Sequence, residues 1–308
     1  MAVDLSQAAV SAAGTVGEPA ASRPFLDLRR YVWRNPSIGI GFGLLAALLA
    51  FSLLGQLVLD PELAQPLAGP INQPPSGEHP FGTDAQGRDL LTTIAIGTWL
   101  TVKVGVIAGG LGVAFGAVVG FVAAYYRGIV DDAIRLIVDV GLTIPALLFL
   151  IVVASAMRGE ISSTTMALMI AALAWLGPAR QIRAQALVLR EANYVLMARL
   201  GGLNGPEIIL REMMPNLLPY LMASFVLAVS QAILAAVGLE ALGLGPMDEP
   251  TLGMTVYWMM YYTAFIRGLW WWILAPIAVL IVLFVGLYLV SAGLDEFANP
   301  RLRRRVAL

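Results

Sequence analysis

Between residues 217 and 239 the chain carries no charged side chain, and comparable runs recur along most of its length. A helix needs about 20 consecutive, mostly apolar residues to cross the hydrocarbon core of a bilayer. Segments approaching that length, rather than short alternating ones, point to helical spans and not to an outer-membrane barrel. The composition, 59% hydrophobic and 13% charged with a mean hydropathy of +0.80, excludes an ordinary soluble domain. There is no cysteine, which leaves neither disulfides nor thiolate metal sites. The net charge of -1 gives no overall steering, so the sign of charge matters only by position.

Taken in order, the spans are expected at 38–59, 98–126, 133–156, from near Thr164 through Gly177-Pro178, at 217–239 and at 268–292. Pro145 is expected to kink the third and Pro276 the sixth. In the second, Gly109, Gly110, Gly112, Gly116 and Gly120 permit close packing, and the last three recur every four residues on one face. Residues 1–22 lack the basic start and apolar core of a signal peptide and read as a disordered cytoplasmic tail. Residues 23–37 set Arg23, Arg29, Arg30 and Arg34 among Phe25, Tyr31 and Trp33, which suits a cytoplasmic interfacial segment. Residues 60–97 read as a Pro-rich external loop in which Thr83 or Asp84 caps a short helix through Ile96. A membrane core covers 98–293, and a basic tail, 294–308, closes the chain.

Sidedness follows from the cations. With the N-terminus inside, fifteen of the 19 Lys and Arg side chains fall in inner segments, and only Arg88, Arg158 and Arg267 in outer ones. That asymmetry places both termini in the cytoplasm. Trp270, Trp271 and Trp272 then fall at the outer end of span six, as an aromatic belt.

The same asymmetry makes the polar stretch 190–216 cytoplasmic. It reads as a helix, a Gly201-Gly202 break, a second short helix begun at Asn204, Gly205 or Pro206, and a stop at Pro215. A long, ordered loop between spans needs a functional reason, and a partner outside the membrane is the one proposed.

Catalytic chemistry is nearly missing from the sequence. The single histidine, His79, has no metal-ligand partner at recognisable spacing, and the single lysine, Lys103, follows no phosphate-cradling glycine loop. Arg135 and Asp139 stand four apart and can pair on one helix face. Glu240 falls at the outer end of span five, as a solvated or pore-lining acid. An ion-coupled secondary transporter or channel stays the alternative class, although buried acids and repeated halves with broken helices are not evident.

Several motifs resemble the inner-membrane permeases of ABC importers for oligopeptides, dipeptides and nickel. HPFGTDAQGRDLL at 79–91 resembles that family's segment before span two, and GIVDDAIRLIVDVGLTIPAL at 128–147 its third span. The stretch 194–216 resembles the EAA loop, LEALGLG at 239–245 the LSFLGLG segment, and LDEFANPRLR at 294–303 the family's ending. The chain departs from the pattern at Leu196-Met197 in place of Glu-Ala, at Glu212 for a His, at Glu240-Ala241 for Ser-Phe and at Leu252-Gly253 for Trp-Gly.

The resemblance implies an all-α membrane protein of six transmembrane helices. A cytoplasmic coupling-helix loop would join spans four and five, with both termini cytoplasmic. It implies an ATPase-coupling set of Ala198, Arg199, Leu200, Gly201, Leu203, Gly205, Glu207, Ile208, Arg211 and Pro215, with Leu200, Leu203, Ile208 and Ile209 as apolar knobs. Arg135 and Asp139 form a structural ion pair. Asp84, Arg88, Asp89, Glu240, Gly243 and Gly245 belong to an external gate or a binding-protein contact. The implied partners are a second homologous permease subunit, two ATP-binding subunits holding ATP and Mg, an external substrate-binding protein and the lipid bilayer, with no nucleic acid. Neither cofactor nor metal is expected on this chain itself. Peptides are the leading substrate class, followed by oligosaccharides and nickel.

Overall fold

The computed structural model describes residues 36–157 and 159–298. The tail expected over 1–22, nearly all of the interfacial segment 23–37, Arg158 and the basic tail beyond 298 lie outside the described residues. Within them the regular elements are helical, and one isolated bridge joins Thr83 to Asp89.

Among the described residues, four helices are long and apolar enough to cross a membrane: α1 (Pro36–Val58), α2 (Leu90–Tyr126), the continuous helix Gly205–Ala241 and the helix that starts at Trp270. Two bent pairs raise the number to six if each pair is one span. The first joins α3 (Gly128–Thr143) to α4 (Ala146–Ala156) at 80°, and the second joins α5 (Ser163–Ala174) to α6 (Leu176–Arg190) at 41°. Pro145 therefore does more than kink the expected third span. It lies between two helices, where the missing N–H and the steric bias on Ile144, which is extended at ψ 121°, end α3 outright.

The second expected span is longer than its apolar run suggested. Asp89, not Thr83 or Asp84, is the N-cap, its side chain accepting from the Thr92 N–H, and the helix runs unbroken through the boundary expected at Thr98. The short helix of the external loop is thus the first turns of α2.

α2 is the post around which the bundle assembles, because its glycines remove side chains on two faces. Cβ atoms at Gly112, Gly116 and Gly120 would fall within 3.0 Å of atoms of Ala174, Trp175, Pro178, Ala179 and Arg183, so α5 and α6 lie directly on that stripe. At Gly109 an added Cβ would stand 2.7 Å from the Val229 nitrogen, which brings α9 (Met214–Ala241) equally close on the other face. Backbones that approach this near gain dispersion contacts where lipid supplies no hydrophobic drive. A cluster of buried side chains at one end of the bundle (Phe121, Ile182, Val195, Ile208 and Met213 among them) ties α2 and α6 to the loop that follows.

The remaining α-helices among the described residues are α7 (Asn193–Leu200), α8 (Gly205–Ile208), α10 (Leu252–Tyr261) and α11 (Trp270–Ala298), and one 3-10 turn covers Pro61–Ala64.

Candidate coupling surface and outer cap

After α6 the chain turns at Glu191 and Ala192 and forms α7, which closes in a Schellman motif. The Gly202 N–H donates to the Arg199 carbonyl at 3.1 Å and the Leu203 N–H to the Ala198 carbonyl at 3.2 Å. The left-handed residue this motif requires is Gly202, at φ +86°, whereas Gly201 keeps φ −72°. Of the Gly201-Gly202 pair, the second makes the turn.

α8 begins with a reciprocal capping box. Asn204 Oδ1 accepts the Glu207 N–H, and Glu207 Oε2 accepts the Asn204 N–H, both at 3.1 Å. Such a cap contributes about 1 kcal/mol. It engages the carboxylate of Glu207, a residue counted in the expected coupling set.

The expected stop at Pro215 does not occur. Residues Ile209–Met213 adopt a π-helical turn, with the Met214 N–H reaching back to the Ile209 carbonyl, and the helix continues into α9. The wider turn makes room for the proline ring in the turn before it, and the Asn216 side-chain amide donates to the Glu212 carbonyl at 2.6 Å. The second part of the loop and the span are one continuous helix from Gly205 to Ala241.

Burial separates the expected coupling residues into two sets. Ile208 is 0% exposed and Ile209 is also buried, both inside the bundle's own cluster, and Leu203 packs against that cluster. They brace the loop and are not knobs for a partner. Leu200, at 75% exposure, does stand free, joined by Met197, Leu196 and Leu210. The three last-named complete an apolar ridge. An i, i+3, i+4 count along α7 would have marked Leu196 and Met197 with Leu200; Leu210, in the turn after α8, carries no such signal. Arg199 lies over the Tyr125 ring at 5.7 Å, and Arg190 Nε donates to the Tyr125 carbonyl at 3.0 Å, so the end of α2 holds the loop from beneath. Burial, and secondarily the Glu212 carboxylate, push the Tyr194 phenol up. Arg211 and Pro215 are exposed, Gly201 likewise, and Ala198 is half-buried.

The Arg135–Asp139 pair forms at 3.4 Å, both side chains largely exposed, and Arg180 approaches the same carboxylate at 4.0 Å. A stronger pair beside it was not anticipated. Arg183 of α6 meets Asp131 of α3 in a two-pronged contact, Nε to Oδ1 at 2.5 Å and Nη2 to Oδ2 at 2.6 Å. No sequence spacing links residues so far apart, so only the α3–α6 packing discloses it.

At the opposite end of the bundle, the residues expected at an external gate turn inward. Asp84 and Arg88 pair at 2.6 Å and both are buried. Asp84 also accepts the N–H groups of Gln86 and Arg88, and Asp89 caps α2 and meets His79 Nδ1 at 3.0 Å. This network folds the loop upon itself and leaves these carboxylates unavailable to a partner.

Glu240 corrects the sequence reading too. It is 1% exposed, with Oε2 lacking a hydrogen-bond partner, and is neither solvated nor pore-lining. Gly243, at φ +79°, and the Leu244 N–H close a second Schellman turn over the end of α9. Cβ atoms at Gly245 and Gly253 would collide with the Glu240 side chain. The carboxyl group is thereby seated against the first turn of α10, where helix N–H groups favour an acid. Nearby, Glu249 Oε1 accepts the Ser163 N–H at 3.0 Å and ties the start of α5 to the same segment. Of the three tryptophans expected in a belt, only Trp270 is exposed; Trp272 is buried and Trp271 Nε1 donates to the Thr83 carbonyl at 3.2 Å.

Fold and site together define a multi-pass helical membrane protein with an ordered, apolar-ridged loop at one end. Residues 112–304 match the family described as binding-protein-dependent transport system inner membrane component. A Brucella abortus protein that carries the name of a peptide transport system permease is 32% identical over 91% of this chain and 93% of its own length. The dipeptide transport system permease protein DppC of Bacillus subtilis is 28% identical over 92% of this chain and 88% of its own. A chain of the inward-facing MetNI methionine ABC transporter aligns with 65% of this chain and 96% of its own at 21% identity, with a TM-score of 0.48. The chain belongs to the family of binding-protein-dependent inner membrane transport components, and is an ABC-type import permease subunit.

Proposed function

We propose that the chain supplies half of the translocation path of an ATP-driven importer for oligopeptides or dipeptides delivered by an external binding protein. It crosses the membrane six times with both termini in the cytoplasm, each bent pair counting as one span. The cation asymmetry of the sequence supports that sidedness, and puts the 190–216 loop on the ATPase side. Its partners are a second permease subunit, two ATP-binding subunits that hold ATP and Mg, and the binding protein. Peptide as the substrate class rests on the names of the relatives.

One observation carries the mechanism: Leu210 of the exposed ridge lies on the same continuous helix as the span, and α7, which bears Met197 and Leu200, joins that helix through the Gly202 turn. Leu200, Met197 and Leu210 offer apolar side chains to a groove on the ATPase, in the manner of a helix laid into a groove. Gly205–Ala241 then carries any displacement of that ridge across the bilayer, since a helix of 37 residues rises about 1.5 Å per residue. At the far end Glu240 passes the displacement to α10. Domain closure on ATP would so be carried to the outer cap along this helix, past the π-helical turn and Pro219 in its interior.

The test is reconstitution with the partner subunits and binding protein in vesicles. Uptake of a labelled peptide should need ATP and the binding protein, and should persist when ion gradients are collapsed. Uptake driven by a gradient with no ATPase subunit present would replace this reading with that of a secondary carrier.

A further inference from the structure

Between α10 and α11 the chain makes a short, fully built projection. α10 ends in a Schellman motif whose left-handed residue is not glycine but Thr263, at φ +52°; the Thr263 N–H donates to the Met260 carbonyl and the Ala264 N–H to the Met259 carbonyl. The pattern repeats at once: Gly268, at φ +69°, donates to the Phe265 carbonyl, and Leu269 to the Ala264 carbonyl. Ala264 and Leu269 are buried against Leu90 and Trp272 and anchor the projection from within. What it holds outward is Phe265 at 83% and Ile266 at 84% exposure.

Two adjacent large apolar side chains, held out by a turn that accepts a left-handed threonine to do so, need an apolar environment. We infer that the tip formed by residues 261–268 inserts into the lipid leaflet opposite the 190–216 loop and seats α10 at the membrane interface. Three features favour lipid over a protein partner. Trp270 opens the helix that crosses the membrane, so the tip lies within about one turn of the hydrocarbon boundary. The exposed rings of Tyr261 and Trp270 flank it, and such rings with one polar edge collect at headgroup level. Arg267, exposed in the same tip, places a cation on a flexible stem where a lipid phosphate would be.

The chain has no cysteine of its own, so with partner subunits rendered cysteine-free a single introduced cysteine reports without background. Phe265→Cys and Ile266→Cys would carry a nitroxide in the complete permease–ATPase complex, reconstituted in phosphatidylethanolamine–phosphatidylglycerol vesicles. Leu274→Cys, exposed on α11, gives the lipid reference, and Glu78→Cys, exposed on the loop before α2, the water reference. Collision rates with oxygen, which concentrates in lipid, are compared with those of a water-soluble nickel chelate. The oxygen-to-nickel ratio at 265 and 266 should group with Leu274. Ratios that group with Glu78 would overturn the assignment, and protection from both reagents on adding the binding protein would show a protein contact in its place.

Discussion

A Cβ placed on Gly205 would stand 2.8 Å from Cε1 of Tyr125, so the start of the 37-residue rod rests directly on the ring that ends α2. The same ring takes the Arg199 guanidinium on its face, and its backbone carbonyl accepts from Arg190. Tyr125 is thus the seat of the loop. Tyr125→Ala should cost roughly 1–3 kcal/mol, by lost packing and a lost cation–π contact. It should also reduce the stimulation of ATPase activity by loaded binding protein. Tyr125→Phe keeps the ring and should behave as the native protein in both thermal unfolding and ATPase assays.

Two ion pairs of α3, one to Arg183 of α6 and one within the helix, should differ in weight. Arg183–Asp131 is two-pronged and mostly sheltered, and removing one partner strands the other, at a cost of roughly 1–3 kcal/mol. Arg135–Asp139 is single-pronged and solvated, and is worth roughly 0–1 kcal/mol. Unfolding of Asp131→Asn and Asp139→Asn in detergent, followed at two salt concentrations, checks the order. Only the second should lose its remaining effect in high salt.

How much of this was visible in the chain depends on range. The apolar segments, which form four long helices and two bent pairs, the Gly112–Gly116–Gly120 stripe and the second short helix that starts beside Asn204 are local patterns, and the sequence marks each. Burial is not local. Ile208 and Leu200 are both apolar residues of one loop, yet one enters the cluster under Phe121 and the other faces out, because only the folded position of α2 decides between them. Asp84 and Glu240 misled for a related reason: an acid in an outer loop reads as solvated unless its partner, Arg88 or the first turn of α10, is already in place.

The glycine stripe should be the most sensitive part of the core. At Gly116 an alanine Cβ would lie 2.8–2.9 Å from the Trp175 carbonyl, the Ala179 nitrogen and Pro178 Cβ, and backbone cannot yield. Gly116→Ala should cost roughly 1–3 kcal/mol by overpacking. Gly110→Ala meets only Phe225 Cε2 at 3.6 Å and should be neutral or stabilising. Thermal unfolding of the two variants side by side decides it.

Glu240 and Gly253 should be coupled. Gly253→Ala places a methyl group on the Glu240 carboxyl and should lower stability and uptake, whereas the same change in a Glu240→Ser background should be tolerated. A double-mutant cycle on unfolding should return a coupling of roughly 0.5–3 kcal/mol. Additive effects would mean that α10 is not held through this contact.

Most direct of all is the contact between the ridge and the ATPase. In the cysteine-free chain, Leu200→Cys and Ile208→Cys can each be paired with cysteines in the ATPase subunit groove and oxidised in membranes. The account predicts a Leu200 cross-link whose yield changes when ATP is trapped, and none from buried Ile208. No cross-link from Leu200, Met197 or Leu210 in any nucleotide state would contradict it.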